Sequence, residues 1–432
     1  MTTRAIPNRA LSNRAMSSRA LSNRALSNRA MSNRAAFVLF VSLVVSFIAG
    51  SAAPTPLYSV YQAAWGLSPV TVTVVFGVYA VAVLGTLLVA GSLSDHIGRR
   101  PVLIVATAMQ VAAMAMFASA NGLGMLLAAR VVQGIATGGA SAAVGAAMID
   151  VDRTRGTVAN AVAPMIGTAT GALLGGLLVE YAVAPTLLVY LLVGGVLVAQ
   201  LGMLLFVPET VVRRPGSHAA RRAAALASLR PHFTLPHEVR GPLLVAAPAL
   251  VAAWALPGFY GSLGPALVRR LLGTQSLAVG GAALGVLAAS AAVVILATRA
   301  HEPRRLMRAG TAALVVGVGL TIAAMSSGSP ATFFTGAAIA GGGFGAAFQG
   351  AIRSVLPLAA PEERAGVLSI MYVIAYLSFG APAVAAGLRV VHGGGLVTTA
   401  REYGFGVISL AIGAFAGSFM RMSRRLAIAS PR

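Results

Sequence analysis

The acidic and basic side chains with the most informative spacing lie in one short segment. It runs from Gly91 to Arg100, and its defining residues are Gly91, Leu93, Asp95, Gly98, Arg99 and Arg100. An aspartate four residues before an arginine can form an ion pair with it near a helix end, or lie at the positive N-terminus of another helix. The two glycines permit a tight turn and a close helix approach. These features predict an ion-paired turn, named the gating loop below, or charges that simply cap helices and anchor the turn to lipid headgroups.

Catalytic chemistry has no comparable support in the chain. There is no cysteine, which excludes disulfides, thiolate metal sites and thiol nucleophiles. All ten acids and all six histidines lie in predicted turns, tails or span ends, with no paired acids and no nucleophile beside a base. The sequence therefore predicts a protein that is not an enzyme and that has no cofactor and no metal site.

Four polar residues within or at the ends of predicted spans are candidates for carrying a proton, since ionisable groups in a membrane can act as proton relays. Arg130 and Gln133 lie within a predicted span, where an arginine costs on the order of 2.5 kcal/mol and needs a cavity or a partner. Glu180 and Asp150 are span-end carboxylates that could reach a cavity or could simply be solvated. Other polar or aromatic residues within spans could line a broad, mostly apolar cavity for an amphipathic compound, namely Tyr79, Asn160, Trp254, Tyr260, Gln349, Tyr372 and Tyr376.

The elements that must position these residues are membrane-spanning helices. The chain is 57% hydrophobic and only 10% charged, with a mean hydropathy of +0.84. Apolar runs long enough to cross a bilayer, about 20 residues each, occur twelve times: 36–56, 69–92, 101–120, 122–149, 157–181, 184–207, 242–266, 276–298, 307–327, 330–352, 365–388 and 403–420. The fold class predicted is an all-α membrane protein with twelve transmembrane helices.

The arginines predict the domain organisation and the orientation. A basic linker, 208–241, separates an N-terminal half, 36–207, from a C-terminal half, 242–420, and a C-tail follows at 421–432. Of the 32 basic residues, 27 lie on the side of the gating loop and four on the other, as the positive-inside rule requires of a cytoplasmic side. The net charge of +22 therefore indicates anionic lipid headgroups as partners and argues against nucleic acid.

An arginine recurs every fifth residue from position 4 to 34, within the low-complexity segment 1–35. Successive arginines are 140° apart around a helix, so they form no single charged face. Either a passive cytoplasmic tail or a tether to anionic lipid fits this pattern.

Three motifs resemble the major facilitator superfamily. The segment from Gly91 to Arg100 is similar to the cytoplasmic loop signature of that family, between spans two and three. Arg130-Val-Val-Gln133-Gly134 resembles its R-x-x-Q-G element, associated with proton coupling. The fifth-span glycines resemble its antiporter motif, with Ala172 in place of a proline: Gly167, Gly171, Gly175 and Gly176. Residues 300–305 also repeat the loop, in degraded form, 205 positions later.

The resemblance implies two related six-helix halves around a central cavity, with gating by Asp95, Arg99 and Arg100. We expect a secondary transporter that exports drug-like or metabolite compounds by alternating access, driven by the proton gradient. An uncoupled facilitator or importer and, as a different class, a transporter-like sensor are the alternatives. We expect a monomer in the bacterial inner membrane, with several spans and both termini in the cytoplasm.

Overall fold

A computed structural model describes residues 31–211, 226–229, 235–360 and 362–429, with side chains described up to Phe419. Most of the arginine-repeat tail, most of the central linker and the C-tail side chains therefore lie outside the described residues. Within the described ranges the regular structure is helical. The predicted fold class, an all-α membrane protein with twelve spans, is confirmed.

Among the described residues, twelve helices are long and apolar enough to cross a membrane. They are α1 Asn33–Trp65, α2 Pro69–Ala90, α3 Arg99–Ala118, α4 Leu123–Val151, α5 Arg153–Tyr181, α6 Pro185–Leu204, α7 His237–Ser262, α8 Leu277–Ala297, α9 Pro303–Ser327, α10 Pro330–Leu358, α11 Arg364–Gly394 and α12 Leu396–Phe419. Two short helices, Leu93–Ile97 and Gly264–Leu272, lie between spans. Helix α1 is longer than the predicted run because the chain stays helical after a bend at Ala53, before Pro54.

Several spans begin with the same local chemistry. The side chains of Ser68, Ser276 and Ser329 each accept a hydrogen bond from a backbone N–H of the helix that follows. Pro69 and Pro330 then occupy the first helical turn, where a missing N–H costs nothing. These caps define the helix starts independently of tertiary packing.

The spans form two halves, and the contacts between them among the described residues are concentrated toward one face. Toward the face opposite the gating loop, α5 packs against α8 and α2 packs against α11. Phe76 of α2 and Phe379 of α11 meet there, with their ring centroids 4.6 Å apart. Toward the loop-bearing face the same helices diverge and line a cavity. The protein is therefore open on the loop-bearing face and closed on the opposite face.

Candidate functional site

The central cavity has a volume of about 770 Å³, within the range of sites for small molecules. It reaches the loop-bearing face, because its lining includes Gly91 at the end of α2, Thr157 near the start of α5 and Leu356 near the end of α10. Both halves contribute walls, and most of the lining is apolar. An organic molecule could thus enter from the loop-bearing face and meet both halves at once.

An aromatic cluster forms the part of the cavity wall supplied by the C-terminal half. The Trp254 ring has its centroid 5.2 Å from that of Phe348, 5.6 Å from Tyr376 and 5.7 Å from Phe344. Phe379 lies on the other side at 6.0 Å, which connects the cluster to the closed face. The indole Nε1 of Trp254 is buried and has no hydrogen-bond acceptor among the described residues.

Five of the predicted cavity residues line this cavity: Asn160, Trp254, Gln349, Tyr372 and Tyr376. Asn160 also donates through Nδ2 to the Gly145 carbonyl at 3.0 Å, which ties α5 to α4. The remaining two lie elsewhere. Tyr79 is buried with its ring beside Arg130, and Tyr260 lines a small pocket with Thr321 and Phe333 in the C-terminal half.

Two arginines of the lining were not among the predicted cavity residues. Arg299, in the turn just after α8, and Arg353, near the end of α10, both line the cavity. The sequence had placed them in loops, as charges that set the orientation. Their spacing carried a usable signal, since Arg353 follows Gln349 by four residues and Arg299 follows Ile295 by four, which puts each pair on one helix face.

The gating loop is tied to the N-terminal half. Its glycine at 98 has φ +108°, a conformation that favours glycine. Arg99 Nη1 donates to the Asp95 carboxylate and, at 2.7 Å, to Ser94 Oγ. Arg99 Nε lies 3.4 Å from Asp150 Oδ2 at the end of α4. The ion pair predicted from the spacing is present, and it involves no described residue of the C-terminal half.

Glu209, which follows α6, holds the gating loop through hydrogen bonds that the sequence did not predict. Its carboxylate accepts from the backbone N–H groups of Arg99 at 2.9 Å and Arg100 at 3.2 Å, at the start of α3. Arg100 Nη2 in turn donates to the Leu205 carbonyl at 2.5 Å. These contacts hold the loop against the end of the sixth span.

The C-terminal half has the equivalent cap at its own loop. Glu302 accepts from the N–H groups of Arg304 at 3.0 Å and Arg305 at 2.8 Å, the positions 205 residues after Arg99 and Arg100. Partial burial acts to raise the pKa of Glu302, but the hydrogen bonds from Arg305 and Arg304 and the charges of their guanidinium groups together lower it. A carboxylate thus caps the third helix of each half, but it comes from the loop itself in one half and from the segment after α6 in the other.

Arg130 lies inside the N-terminal half and does not line the cavity. Its side chain is 1% exposed and donates to the Ser51 carbonyl at 3.0 Å, to Gln133 Oε1 at 2.6 Å and to the Tyr58 hydroxyl. Gln133 donates to the Gly50 carbonyl at 3.0 Å. That carbonyl is free because Pro54, four residues later, has no N–H to donate.

Three aromatic rings enclose the same guanidinium group. The centroids of Tyr58, Tyr79 and Phe117 lie 5.4 to 5.5 Å from its central carbon, close enough for cation–π attraction. No carboxylate forms an ion pair with Arg130 among the described residues. The arrangement surrounds a buried cation with carbonyls, a hydroxyl and rings at the bend of α1, and leaves its Nε without an acceptor among the described residues.

The glycine motif of the fifth span packs against two neighbouring helices, α1 and α8. Gly167, Gly171 and Gly175 face the backbone of α1, where a methyl group at Gly167 or Gly175 would lie 2.7 Å from a carbonyl oxygen. Gly176 instead faces Ala278 and Gly281 of α8, in the other half. The motif therefore allows close packing within the N-terminal half and close packing between halves at the closed face.

Glu180 bridges the two halves at the closed face. Its carboxylate at the end of α5 accepts from the N–H of Leu277 at 2.6 Å and of Ala278 at 3.4 Å, at the start of α8. A negative charge at a helix N-terminus is favourable, because the free N–H groups there carry partial positive charge. Glu180 thus stabilises the closed state of this face.

Two six-helix halves around a cavity that opens on one face define a membrane transporter for a small molecule. The sequence matches the family model of the Major Facilitator Superfamily over residues 35–379, and the chain belongs to that superfamily. This confirms the family expected from the motifs and identifies a transporter, not an enzyme.

Solved structures share the fold at low sequence identity. The crystal structure of a mutant of the nucleoside transporter NupG matches with a TM-score of 0.69 and 11% identity, covering 89% of this chain and all of that one. The human organic anion transporter MFSD10 (TETRAN) matches with a TM-score of 0.61 and 18% identity, again covering 89% and 100%. A search of curated protein sequences found no match.

Proposed function

We propose that the protein exports a small amphipathic molecule from the cytoplasm by alternating access, in exchange for protons. The observation that carries this proposal is the cavity between the halves, open on the loop-bearing face and closed on the opposite face. Rocking of the halves about this site would close the loop-bearing face and open the other. The same contacts that hold the present state then have to break in each cycle.

The loop-bearing face is proposed to be cytoplasmic. Most arginines, 27 of 32, lie on the segments of this side, which the positive-inside rule assigns to the cytoplasm. Because twelve is an even number of spans, both termini then lie in the cytoplasm of a bacterial cell, with the protein in the inner membrane as a monomer.

Export is supported by the resemblance of the fifth-span glycines to an antiporter motif. One glycine of this motif, Gly176, packs against α8 across the interface between the halves, so the motif reaches the region where the halves must separate during transport. The two solved structures compared above are named for nucleoside and organic anion transport. A cavity of about 770 Å³ admits molecules of either kind.

Proton coupling is proposed to act through Glu180. In the present state its carboxylate caps α8, a contact that its ionised form favours. When the closed face opens, the same carboxylate loses the cap and becomes free to bind a proton. Release of that proton would accompany renewed capping, which links the proton to the conformational change. Asp150, held near Arg99 and Thr210, is the second candidate, at the loop-bearing face.

Glu180→Gln is expected to lower coupled transport roughly fivefold, since a charged cap at a helix N-terminus is worth about 1 kcal/mol. The measurement is the number of protons moved per substrate molecule in vesicles. This ratio should fall in Glu180→Gln and stay unchanged in Glu238→Gln, a control acid at the start of α7. An unchanged ratio in Glu180→Gln would remove this residue from the coupling step.

The proposed function is tested by substrate-dependent proton movement in everted membrane vesicles. The assay compares wild type with Asp95→Asn across lipophilic cations, organic anions, antibiotics and sugars. Asp95 lines the cavity at the loop-bearing face, so its charge is expected to hold this face closed in the other half of the cycle. Proton release on adding one compound, reduced about tenfold in Asp95→Asn at equal expression, supports gated export.

Three outcomes count against parts of the proposal. Substrate uptake into vesicles without proton movement would indicate a facilitator. Normal flux in Asp95→Asn would reject the gating role of that carboxylate. No response to any compound, in vesicles shown to contain the protein, would reject transport and favour a sensor.

A further inference from the structure

From the charges that line the cavity, we infer that the substrate is an aromatic organic anion, with its ring on the Trp254 cluster and its carboxylate or sulfonate between Arg299 and Arg353. This inference rests on the proposed transport function and specifies its substrate class. It depends on three features of the C-terminal wall: the aromatic cluster, the unpaired indole N–H and the two arginines.

The first step concerns charge. Among the described residues, the charged side chains of the lining are Asp95, Arg299 and Arg353. The Asp95 carboxylate is already paired with Arg99. Arg299 has no hydrogen bond or ion pair with any described residue, and Arg353 Nη1 is buried without an acceptor. The cavity therefore has excess positive charge, which apolar walls strengthen.

The second step concerns position. Arg353 Nη2 donates to the His301 carbonyl at 3.0 Å, which holds the Arg353 side chain next to the turn that follows α8. Arg299 lies in that same turn, two residues before His301, and both arginines line the cavity. A guanidinium group has a fixed fork of donors that matches the oxygens of a carboxylate or sulfonate.

The third step concerns length. Arg353 follows Phe348 by five residues on α10, which is about 7.5 Å along a helix axis at a rise of about 1.5 Å per residue. Both residues line the cavity. A molecule with an aromatic ring and an anionic group a few ångströms away could contact both. The buried Nε1 of Trp254 has no acceptor among the described residues, and a rotation of the ring toward the cavity would let it donate to a polar substituent.

An aromatic cluster can also attract a cation, so a cationic substrate is the alternative to an anionic one. Cation–π attraction is worth about 0.5–2 kcal/mol. In this cavity a cation would meet two arginines and, among the described lining residues, one carboxylate that is already paired. Like-charge repulsion in a partly desolvated site exceeds that gain. The balance favours an anion.

The chain supplies its own reporter for a binding test. It has two tryptophans, and Trp65 is stacked on Tyr61 in α1, outside the cavity lining. In a Trp65→Phe background the fluorescence comes from Trp254 alone. The full-length protein, in nanodiscs of zwitterionic lipid, is titrated with three nitroaromatic quenchers of different charge: 4-nitrobenzenesulfonate, 4-nitroanisole and 4-nitrophenyltrimethylammonium.

The sulfonate is expected to quench Trp254 saturably, with a dissociation constant at least tenfold lower than that of the ammonium compound. The double variant Arg299→Gln/Arg353→Gln should weaken sulfonate binding at least tenfold and change the neutral compound less than twofold. Arg155→Gln, an exposed arginine of the same face outside the lining, is the matched control and should bind the sulfonate as wild type does. Arg299→Lys/Arg353→Lys should retain sulfonate binding within a few-fold.

Equal or tighter binding of the ammonium compound, an unaffected double variant, or no saturable quenching by the sulfonate would each overturn the inference. Failure of the proposed function looks different. Arginine-dependent sulfonate binding without flux of any compound would reject transport and keep the anion site. Proton-coupled flux restricted to cations would reject the anion site and keep transport.

Discussion

Gly281→Val is expected to abolish transport while leaving membrane insertion intact. Gly281 of α8 lies against the backbone of Ala172 and Gly176 of α5, across the interface between the halves. A side chain there would meet the Ala172 carbonyl oxygen directly. Because the obstructing atom belongs to the backbone, it cannot move aside as a flexible side chain could. Overpacking costs about 1–3 kcal/mol. Here that cost destabilises only the state in which the face opposite the gating loop is closed.

The expected consequence is a population shift of roughly 10- to 100-fold toward states in which the face opposite the gating loop is open, since each 1.4 kcal/mol changes a population tenfold. The absence of cysteine from the chain makes this shift measurable. Thr73→Cys introduces a thiol that is buried where α2 packs against Gly387 of α11. A membrane-impermeant maleimide should label it slowly in the otherwise unchanged protein and much faster with Gly281→Val.

Gly195→Val is the matched control, because no atom lies within 4 Å of a methyl group built at Gly195. It should leave both transport and Thr73→Cys labelling unchanged. Loss of transport in Gly281→Val without faster labelling would contradict the explanation by gating. Normal transport in that variant would show that the halves separate elsewhere.

Arg130→Ala is expected to be the most destabilising single substitution in the N-terminal half. It leaves Gln133 Oε1 and the Tyr58 hydroxyl without their donor in a buried site. Each buried polar group without a partner costs about 1–3 kcal/mol. It also removes the cation that three aromatic rings enclose. We expect a loss of several kcal/mol in the free energy of unfolding and little transport.

Arg130→Lys should be less harmful, since an ammonium group retains the charge but can reach fewer of these acceptors. The measurement is the thermal unfolding midpoint of the purified protein, followed by flux in vesicles that contain equal amounts of each variant. Arg155→Ala serves as the control, because Arg155 is exposed and its ion pair is with Asp152. Its stability should stay within about 0.5 kcal/mol of wild type.

The two Arg130 variants also distinguish a structural role of Arg130 from a role in proton coupling. If the Arg130→Ala protein is well folded and moves substrate without protons, Arg130 has the role in proton coupling that the motif suggests. Wild-type stability and flux in Arg130→Ala would contradict the structural interpretation. Equal effects of alanine and lysine would show that the charge itself is irrelevant at this position.

The number and type of elements could be predicted from the sequence because they depend on local properties. A helix of about 20 apolar residues satisfies its own backbone hydrogen bonds in lipid, so each span is determined largely by its own segment. The number of arginines in each loop and the loop signature are likewise properties of single segments. The twelve spans and the family were predicted from such patterns and are confirmed. The ion pair between Asp95 and Arg99 also follows from spacing within one loop.

Contacts between distant segments could not be predicted in this way. Glu209 lies 110 residues from Arg99, and Glu180 lies 97 residues from Leu277. The sequence indicated that Glu180 could reach a cavity or be solvated, and it indicated no particular role for Glu209. Only the packing of the spans brings each of them to the N-terminus of another helix, where an acceptor is needed.

The lining of the cavity was also decided by tertiary structure, for a reason specific to membranes. In water, the polar face of a helix shows which side is exposed. In a bilayer, the lipid-facing and protein-facing sides of a span are both apolar, so periodicity does not distinguish them. Tyr79 and Tyr260 therefore looked as suitable for the cavity as Tyr376, and Arg353 looked like a loop charge. Composition and local motifs determined a twelve-span transporter, whereas the rotation and tilt of each helix decided which side chains meet a substrate.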